Sequence, residues 1–280
     1  MLKRSHYLWP YVGEAPAETL QLEQFGYARL AGVFHGAELA ALRAEVAAVF
    51  REWPPDERGD PVRTDKAEYR YQMFQRSPWC QRAMAHPRIL AVVEPLLGND
   101  CHVINSTAWQ NPPGLHSQPE ACYWHTDAGP HIPRGEHVPW PDAIPYPIFV
   151  IGTHIYLEDC GADEGPTAVV ATSHRSGRPV PPERRFDVRL SYAGHEMVAL
   201  PCRAGDVAFF VSDAWHRRLL PTERSRGRFF LQTNYGRRDI APRVLSPEHA
   251  HHANADAIAR AGTERERTLI GLHRPSFYDG

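Results

Sequence analysis

Between Phe34 and Phe50 the apolar residues Leu39, Leu42, Val46 and Phe50 recur three and four positions apart, which lays one apolar stripe along a helix. Just before it, Leu20, Leu22 and Phe25 followed by Gly26-Tyr-Ala-Arg-Leu predict a short helix and then a strand within Ala17 to Leu30. The stretch Pro54 to Arg63 is dense in Pro, Asp and Gly and reads as an exposed loop. A second helix is expected from Ile89 to Gly98, entered after Pro87, with Pro95 placed to stop or kink it. From about Cys101 the pattern changes to short runs of period-two alternation separated by Gly and Pro. Strands are expected at His102 to Trp109, Cys122 to Asp127, Ile148 to Leu157, Thr167 to Ala171, Glu196 to Leu200, Asp206 to Val211 and Arg228 to Tyr235. The tail from about Pro247 reads as helical through Arg260. Helices in front and strands behind imply an α+β protein, mainly β, with antiparallel sheets.

Composition narrows the partners. With 280 residues, 42% of them hydrophobic and 23% charged, the chain has the make-up of an ordinary globular protein. A formal charge of -2 and the lack of a basic tract argue against a nucleic-acid partner. No window approaches the roughly 18 to 20 apolar residues of a membrane helix, and Met1 to Tyr11 has no apolar signal region. A cytoplasmic protein with a small-molecule substrate and no membrane partner is expected, and no feature sets its oligomeric state. The five cysteines are odd in number and never paired as C-x-x-C, so they are expected to be buried thiols. Lysine occurs only at Lys3 and Lys66, which leaves few candidates for imine chemistry. The chain has no G-x-G-x-x-G after a strand and no phosphate-binding P-loop.

The sharpest chemical signal is Tyr123-Trp-His-Thr-Asp, where His125 and Asp127 lie two apart and share one face of an extended segment. An imidazole and a carboxylate so placed can hold one metal ion. Gly205-Asp-Val-Ala-Phe-Phe-Val-Ser-Asp-Ala-Trp-His supplies an apolar strand and then His216, which completes a two-histidine, one-carboxylate set. That set leaves positions open on Fe(II) for a cosubstrate and dioxygen. The strand from Gly227 puts Arg228, Phe230, Gln232 and Asn234 on one face, with Arg228 able to grip a carboxylate through two hydrogen bonds.

These motifs occur in a fixed order: the helix after Gly26-Tyr-Ala-Arg-Leu, then W-H-T-D, then His154 through Thr172-Ser173-His174, then G-D-V-A-F-F with the distal histidine and G-R-F-F-L-Q. In that order, over roughly Leu20 to Arg238, the chain resembles the phytanoyl-CoA dioxygenase family of Fe(II)/2-oxoglutarate oxygenases. The resemblance implies a single domain over 1–280. Its core would be a double-stranded β-helix of the jelly-roll or cupin-like kind at about 101–238, with a helical part at about 1–100 and a helical tail at 239–280. It implies iron held by His125, Asp127 and His216, and 2-oxoglutarate gripped at its distal carboxylate by Arg228. Dioxygen would be the oxidant. It places Thr107 and Gln110 near the cosubstrate, and His154 where many members carry a tryptophan. Arg218 stands where a small hydroxyl residue is usual and shares the face of His216 if the backbone is extended. The interval from His216 to Arg228 is one residue longer than the family spacing, so Arg226 is an alternative clamp. Asp127 argues against a halogenase, in which this carboxylate is replaced to admit chloride.

The activity so implied is hydroxylation of an unactivated C–H bond in a small molecule, such as a secondary metabolite, with release of succinate and carbon dioxide. A zinc or other divalent-metal hydrolase with the same ligands and a histidine such as His131 or His154 as base is an alternative. A non-catalytic binding protein on this fold is another. The irregular segment Gly129 to Tyr146, with His131, His137 and Trp140, is expected to cover the mouth of the site, and Tyr123, His131 and Trp140 to touch substrate. His174 is expected to close a turn, Glu248-His-Ala-His-His to be solvated, and Trp79, Trp109 and Trp215 to be core.

Overall fold

The computed structural model describes residues 14–55, 67–114, 122–127, 129–136, 138–141, 143–241 and 253–273. The polyhistidine-like tract after Glu248, His137 and most of the Pro54 to Arg63 loop lie outside them.

The N-terminal helices form where the apolar spacing puts them. Helix α1 spans Ala17–Phe25 and ends at Gly26, whose left-handed φ of 83° turns its N–H onto the Leu22 carbonyl. Strand β1, Tyr27–Leu30, follows at once. Helix α2, Gly36–Glu52, buries Leu42, Val46 and Val49. A short strand β2, Glu68–Tyr71, and two short helices, α3 at Met73–Arg76 and α4 at Pro78–Met84, are too brief for periodicity to reveal. Ser77 caps α4, its hydroxyl accepting from the Cys80 N–H. Helix α5, Pro87–Leu97, runs through Pro95, so the expected stop does not occur there. Pro95 sits in the last turn, where one lost hydrogen bond matters little and apolar burial of Leu96 and Leu97 holds the chain in place.

The remaining strands are β3 (His102–Asn111), β4 (Val150–Tyr156), β5 (Thr167–Val170), β6 (Met197–Leu200), β7 (Val207–Val211), β8 (His216–Arg218) and β9 (Arg228–Gly236). They make two antiparallel sheets: six strands in the order β1-β7-β4-β9-β3-β2, and three in the order β6-β5-β8. The chain therefore has a mixed α/β fold with antiparallel sheets. The expected strand at Cys122 to Asp127 does not form. That segment makes a single bridge, His125 to His216, and its other backbone groups turn to loops, Trp124 donating to Arg185 and Asp127 to Ser212.

One apolar cluster runs from Leu22 through the helices and the six-stranded sheet to Ile270, so the helices cover one face of that sheet. A smaller cluster of Trp124, Ala168, Val170, Val180, Leu190 and Trp215 packs around the three-stranded sheet. Between the two sheets lies the cavity described below. Of the tail expected to be helical from about Pro247 through Arg260, residues 247–252 lie outside the described residues and the described part forms helix α6 at Ala255–Arg260; a further helix α7, Glu264–Leu269, follows it. A capping box between Thr263 and Glu266 starts α7. Arg265 then bonds Glu94 at 2.8 Å and the Cys101 carbonyl at 2.8 Å, tying the tail to α5. All five cysteines are buried free thiols, and burial pushes Cys80 and Cys202 up to about 12. Among the described residues no helix is long and apolar enough to cross a membrane.

Two close approaches fix the chain around the sheets. Gly205 has φ +89°, and its carbonyl accepts from Val33 and Phe34; a Cβ there would lie 1.9 Å from the Phe34 carbonyl oxygen. His174 is fully buried, donates from Nε2 to the Glu23 carbonyl at 3.1 Å, and lies against Gly26, where a Cβ would come within 2.6 Å of its Nδ1. It therefore closes a turn onto α1, as expected. Burial, with Arg175 adding to it, lowers the His174 pKa to about 3.

Gly205→Ala is expected to lower stability by about 2–4 kcal/mol, read from denaturant unfolding. His174 stays neutral when folded but takes up a proton when unfolded below its ordinary pKa. Its contribution is present above about pH 6.5 and is lost as pH falls toward about 3, at about 1.4 kcal/mol per pH unit. Unfolding free energies measured over that window should fall less steeply in His174→Gln than in the parent.

Candidate metal centre and its cavity

The two histidines of the site are joined by their backbones. His125 N–H donates to the His216 carbonyl at 2.9 Å and His216 N–H returns the bond at 2.9 Å. This one bridge fastens the irregular segment around His125 to β8 and sets the two rings 4.4 Å apart, centroid to centroid. Asp127, two residues on, is held by its own N–H on the Ser212 carbonyl at 3.1 Å. Its Oδ1 lies 3.7 Å from His125 Nε2 and 3.4 Å from His216 Nε2.

Hydrogen bonds also fix the tautomers. His125 Nδ1 donates to the Tyr123 carbonyl at 3.0 Å and His216 Nδ1 to the Ala214 carbonyl at 2.9 Å. Each ring thus sends its Nε2 toward the same carboxylate oxygen, and the ligand atoms of the three residues lie within 4.8 Å of one another. With both Nδ1 atoms acting as donors, the neutral rings present Nε2 lone pairs, so three electron-rich groups face one point and a cation there would relieve their repulsion. The local field agrees. Burial opposes a charge on His216, but Asp127 beside it favours one, and the net effect holds its pKa above the ordinary value. The donor set fits a divalent metal of the iron type, with two imidazoles and one carboxylate on one side and open space on the other.

That space is a cavity of about 120 Å³ between the sheets. From β9, Arg228, Phe230, Gln232 and Asn234 line it, the face that alternation predicts. From β3 come Asn105, Thr107 and Trp109, and from β2 Tyr71. His154 and Thr167 contribute from β4 and β5, Phe210 from β7, and Arg217 and Arg218 from β8.

Arg228 is buried, its Nε donating to Asn111 Oδ1 at 3.1 Å and its Nη1 to the Gly165 carbonyl at 3.2 Å, with its guanidinium over the Phe230 ring. Arg226, the alternative clamp, has a side chain 73% exposed and pairs with Glu164 at 3.4 Å, outside the cavity. The backbone at Arg218 is extended, so it shares the side of His216, and its Nη2 reaches the Glu164 carbonyl at 3.3 Å. His154 bonds Thr167 Oγ1 at 3.2 Å, and burial, with Arg228 adding to it, lowers its pKa to about 3.

Other expected contacts lie elsewhere. Gln110 is exposed on the outer face of β3, in register with Glu68 and Phe229, because alternation that turns Thr107 and Trp109 inward turns Gln110 out. His131 is held away from the cavity by Asp213, which takes its Nδ1 at 2.5 Å and its N–H at 3.0 Å while also accepting from Tyr146. Trp140 donates to the Ile144 carbonyl and packs on Tyr146, and Tyr123 flanks His125 without lining the cavity. The Gly129 to Tyr146 segment is irregular among its described residues, as expected, and Asp213 is its anchor. Conversely, Trp109 is not simply core: it lines the cavity and donates to Gln232 Oε1 at 2.8 Å. Asn105 and Tyr71 were not singled out, and only the alternation of β3 and the pairing of β2 with β3 reveal them.

Comparison with known proteins places this geometry. Among solved structures, the epimerase SnoN in complex with Fe3+, alpha ketoglutarate and nogalamycin RO is 20% identical, with a TM-score of 0.60 over 79% of this chain and 82% of that one. The non-heme alpha ketoglutarate dependent carbocyclase SnoK from nogalamycin biosynthesis is also 20% identical, with a TM-score of 0.61 over 84% of this chain and 89% of that one. HygX from Streptomyces hygroscopicus with nickel, 2-oxoglutarate and hygromycin B bound is 17% identical, with a TM-score of 0.62 over 83% and 92%. At these identities the likeness is one of fold. No protein of curated function matches the sequence. The family model for phytanoyl-CoA dioxygenase matches residues 22–217, more than half of the chain and inclusive of all three candidate ligands. The chain belongs to the phytanoyl-CoA dioxygenase family.

Proposed function

We propose that the chain is an Fe(II)- and 2-oxoglutarate-dependent oxygenase acting on a small molecule, with hydroxylation of an unactivated C–H bond as its reaction. The observation that carries this reading is the convergence of His125 Nε2, Asp127 Oδ1 and His216 Nε2 beside a cavity holding the buried Arg228. The two sheets are read as a double-stranded β-helix within a single domain.

His125, Asp127 and His216 would hold the iron, and Arg228 the distal carboxylate of 2-oxoglutarate. Thr107 and Arg218 line the same space, and Gln110 on the outer face has no part in it. Bound together, iron and 2-oxoglutarate supply the oxidising power: with dioxygen, the cosubstrate goes to succinate and carbon dioxide while R–H becomes R–OH. The protein's own tasks are orientation and exclusion of water. Phe210 and Phe230 line the cavity with apolar surface, and Asn111 and the Gly165 carbonyl fix the Arg228 fork. His154, neutral near neutral pH, adds no charge. The fold neighbours SnoK, from nogalamycin biosynthesis, and SnoN and HygX, solved with nogalamycin RO and hygromycin B bound, support a secondary metabolite as the substrate.

The hydrolase alternative finds less support. His131 is engaged by Asp213 away from the cavity, and His154 is too weak a base at a pKa of about 3. Hydrolysis also has no need of a buried clamp for a dicarboxylate.

Anaerobic addition of Fe(II) and 2-oxoglutarate to metal-free protein should give the visible charge-transfer band of the chelate, and addition of oxygen should release succinate. Asp127→Ala should abolish the band. Arg228→Ala should weaken 2-oxoglutarate binding by about ten- to a hundred-fold, the worth of a charged hydrogen-bonded contact. No band, together with tight zinc binding, would overturn the oxygenase reading. A normal band without succinate would favour a binding protein instead.

A further inference from the structure

The cavity is polar at both ends, but in different ways. Arg228 and Arg218, two of the three arginines that line the cavity, both reach one turn, donating to the adjacent carbonyls of Gly165 and Glu164. Asn234 stands six residues along β9 from Arg228, about 20 Å away at the rise of an extended strand. A five-carbon diacid held at Arg228 is too short to span that distance.

Asn234 is 1% exposed and lines the cavity, yet among the described residues neither its Oδ1 nor its Nδ2 has a hydrogen-bond partner. A buried amide in that state destabilises the fold, and such groups are rare unless a ligand satisfies them. Its cross-strand neighbours are Gly152 on β4, which offers no side chain, and Asn105 on β3, which also lines the cavity. Phe210 closes the space over Gly152 and packs on His216, its ring 4.6 Å from the imidazole. The amide end therefore adjoins the metal ligands.

We infer that Asn234, with Asn105 beside it, is the substrate-recognising end of the cavity, and that it takes a neutral polar group offering both a donor and an acceptor, such as a carboxamide or lactam. The inference rests on the oxygenase reading and narrows its substrate class. A primary amide has two N–H donors and an accepting oxygen, and only a partner with both functions satisfies it. A carboxylate accepts only. It would leave Oδ1 unpaired, and neither asparagine supplies a counter-charge.

The test uses the full chain loaded with Zn(II) and 2-oxoglutarate, which cannot turn over, and follows propanamide and its near-isostere propanoate by saturation-transfer NMR. Propanamide should bind about ten-fold better than propanoate, and Asn234→Leu should weaken propanamide by about ten-fold. Over the same change, 2-oxoglutarate affinity should hold and Tm should stay level or rise. Asn234→Asp keeps the shape but removes the N–H donors, so it should weaken propanamide similarly and serves if the leucine variant does not fold. No propanamide binding, equal binding of propanoate, or propanamide binding unchanged by either substitution would overturn the inference. Amide selectivity in a protein that binds no 2-oxoglutarate would instead leave Asn234 in place and overturn the oxygenase reading.

Discussion

The site depends on a pair of backbone hydrogen bonds between residues distant in sequence. The segment carrying His125 and Asp127 belongs to no strand, and its reciprocal bonds with His216 are what seat it against β8. Those bonds place two imidazoles side by side, and the carbonyls of Tyr123 and Ala214 turn both Nε2 atoms inward. Three electron-rich atoms then share a space that only a cation settles. The geometry is held by backbone groups, which substitution of neighbouring side chains leaves in place, and so the candidate metal site can persist while the cavity around it varies.

Around that centre the sheets divide the work. Strand β9, buried along its whole length, carries an arginine at one end of its inner face and an asparagine at the other, separated by Phe230 and Gln232. The outer faces of the same strands pack against helices, with Tyr235 donating to the Met84 carbonyl and Leu231 in the main core. The helix layer packs on one side of the six-stranded sheet, and the candidate site lies in the space between the sheets. The segment from Gly129 to Tyr146 is fastened to the metal end by Asp213, three residues before His216.

Much of this is legible in the chain because both relevant periodicities are strong. The three-and-four spacing of Leu39, Leu42, Val46 and Phe50 marks α2, and the two-residue alternation of β9 assigns Arg228, Phe230, Gln232 and Asn234 to one face. The three candidate ligands are readable because their residue types are rare in combination and their motifs keep a fixed order. What fails to read depends on tertiary contact. The phase of β3 decides that Thr107 faces inward and Gln110 outward, and no local pattern signals that phase. His131 and Trp140 look like substrate contacts in sequence, but Asp213 and the Ile144 carbonyl claim them. The Cys122 to Asp127 stretch alternates like a strand but finds only one bridge to make. Short elements such as β2, β8, α3 and α7 are stabilised by packing and capping that a few residues cannot display in sequence.

The proposed chemistry requires iron to be held at one place by one set of atoms. Its most direct measurement is an anaerobic crystal structure with Fe(II) and 2-oxoglutarate, the metal located by anomalous scattering at the iron edge. The account predicts a single strong peak bonded to Nε2 of His125, Nε2 of His216 and one oxygen of Asp127. Iron bound through Nδ1, or lodged with the triad empty at the pair of His102 and His273, whose ring nitrogens lie 2.6 Å apart, would contradict it.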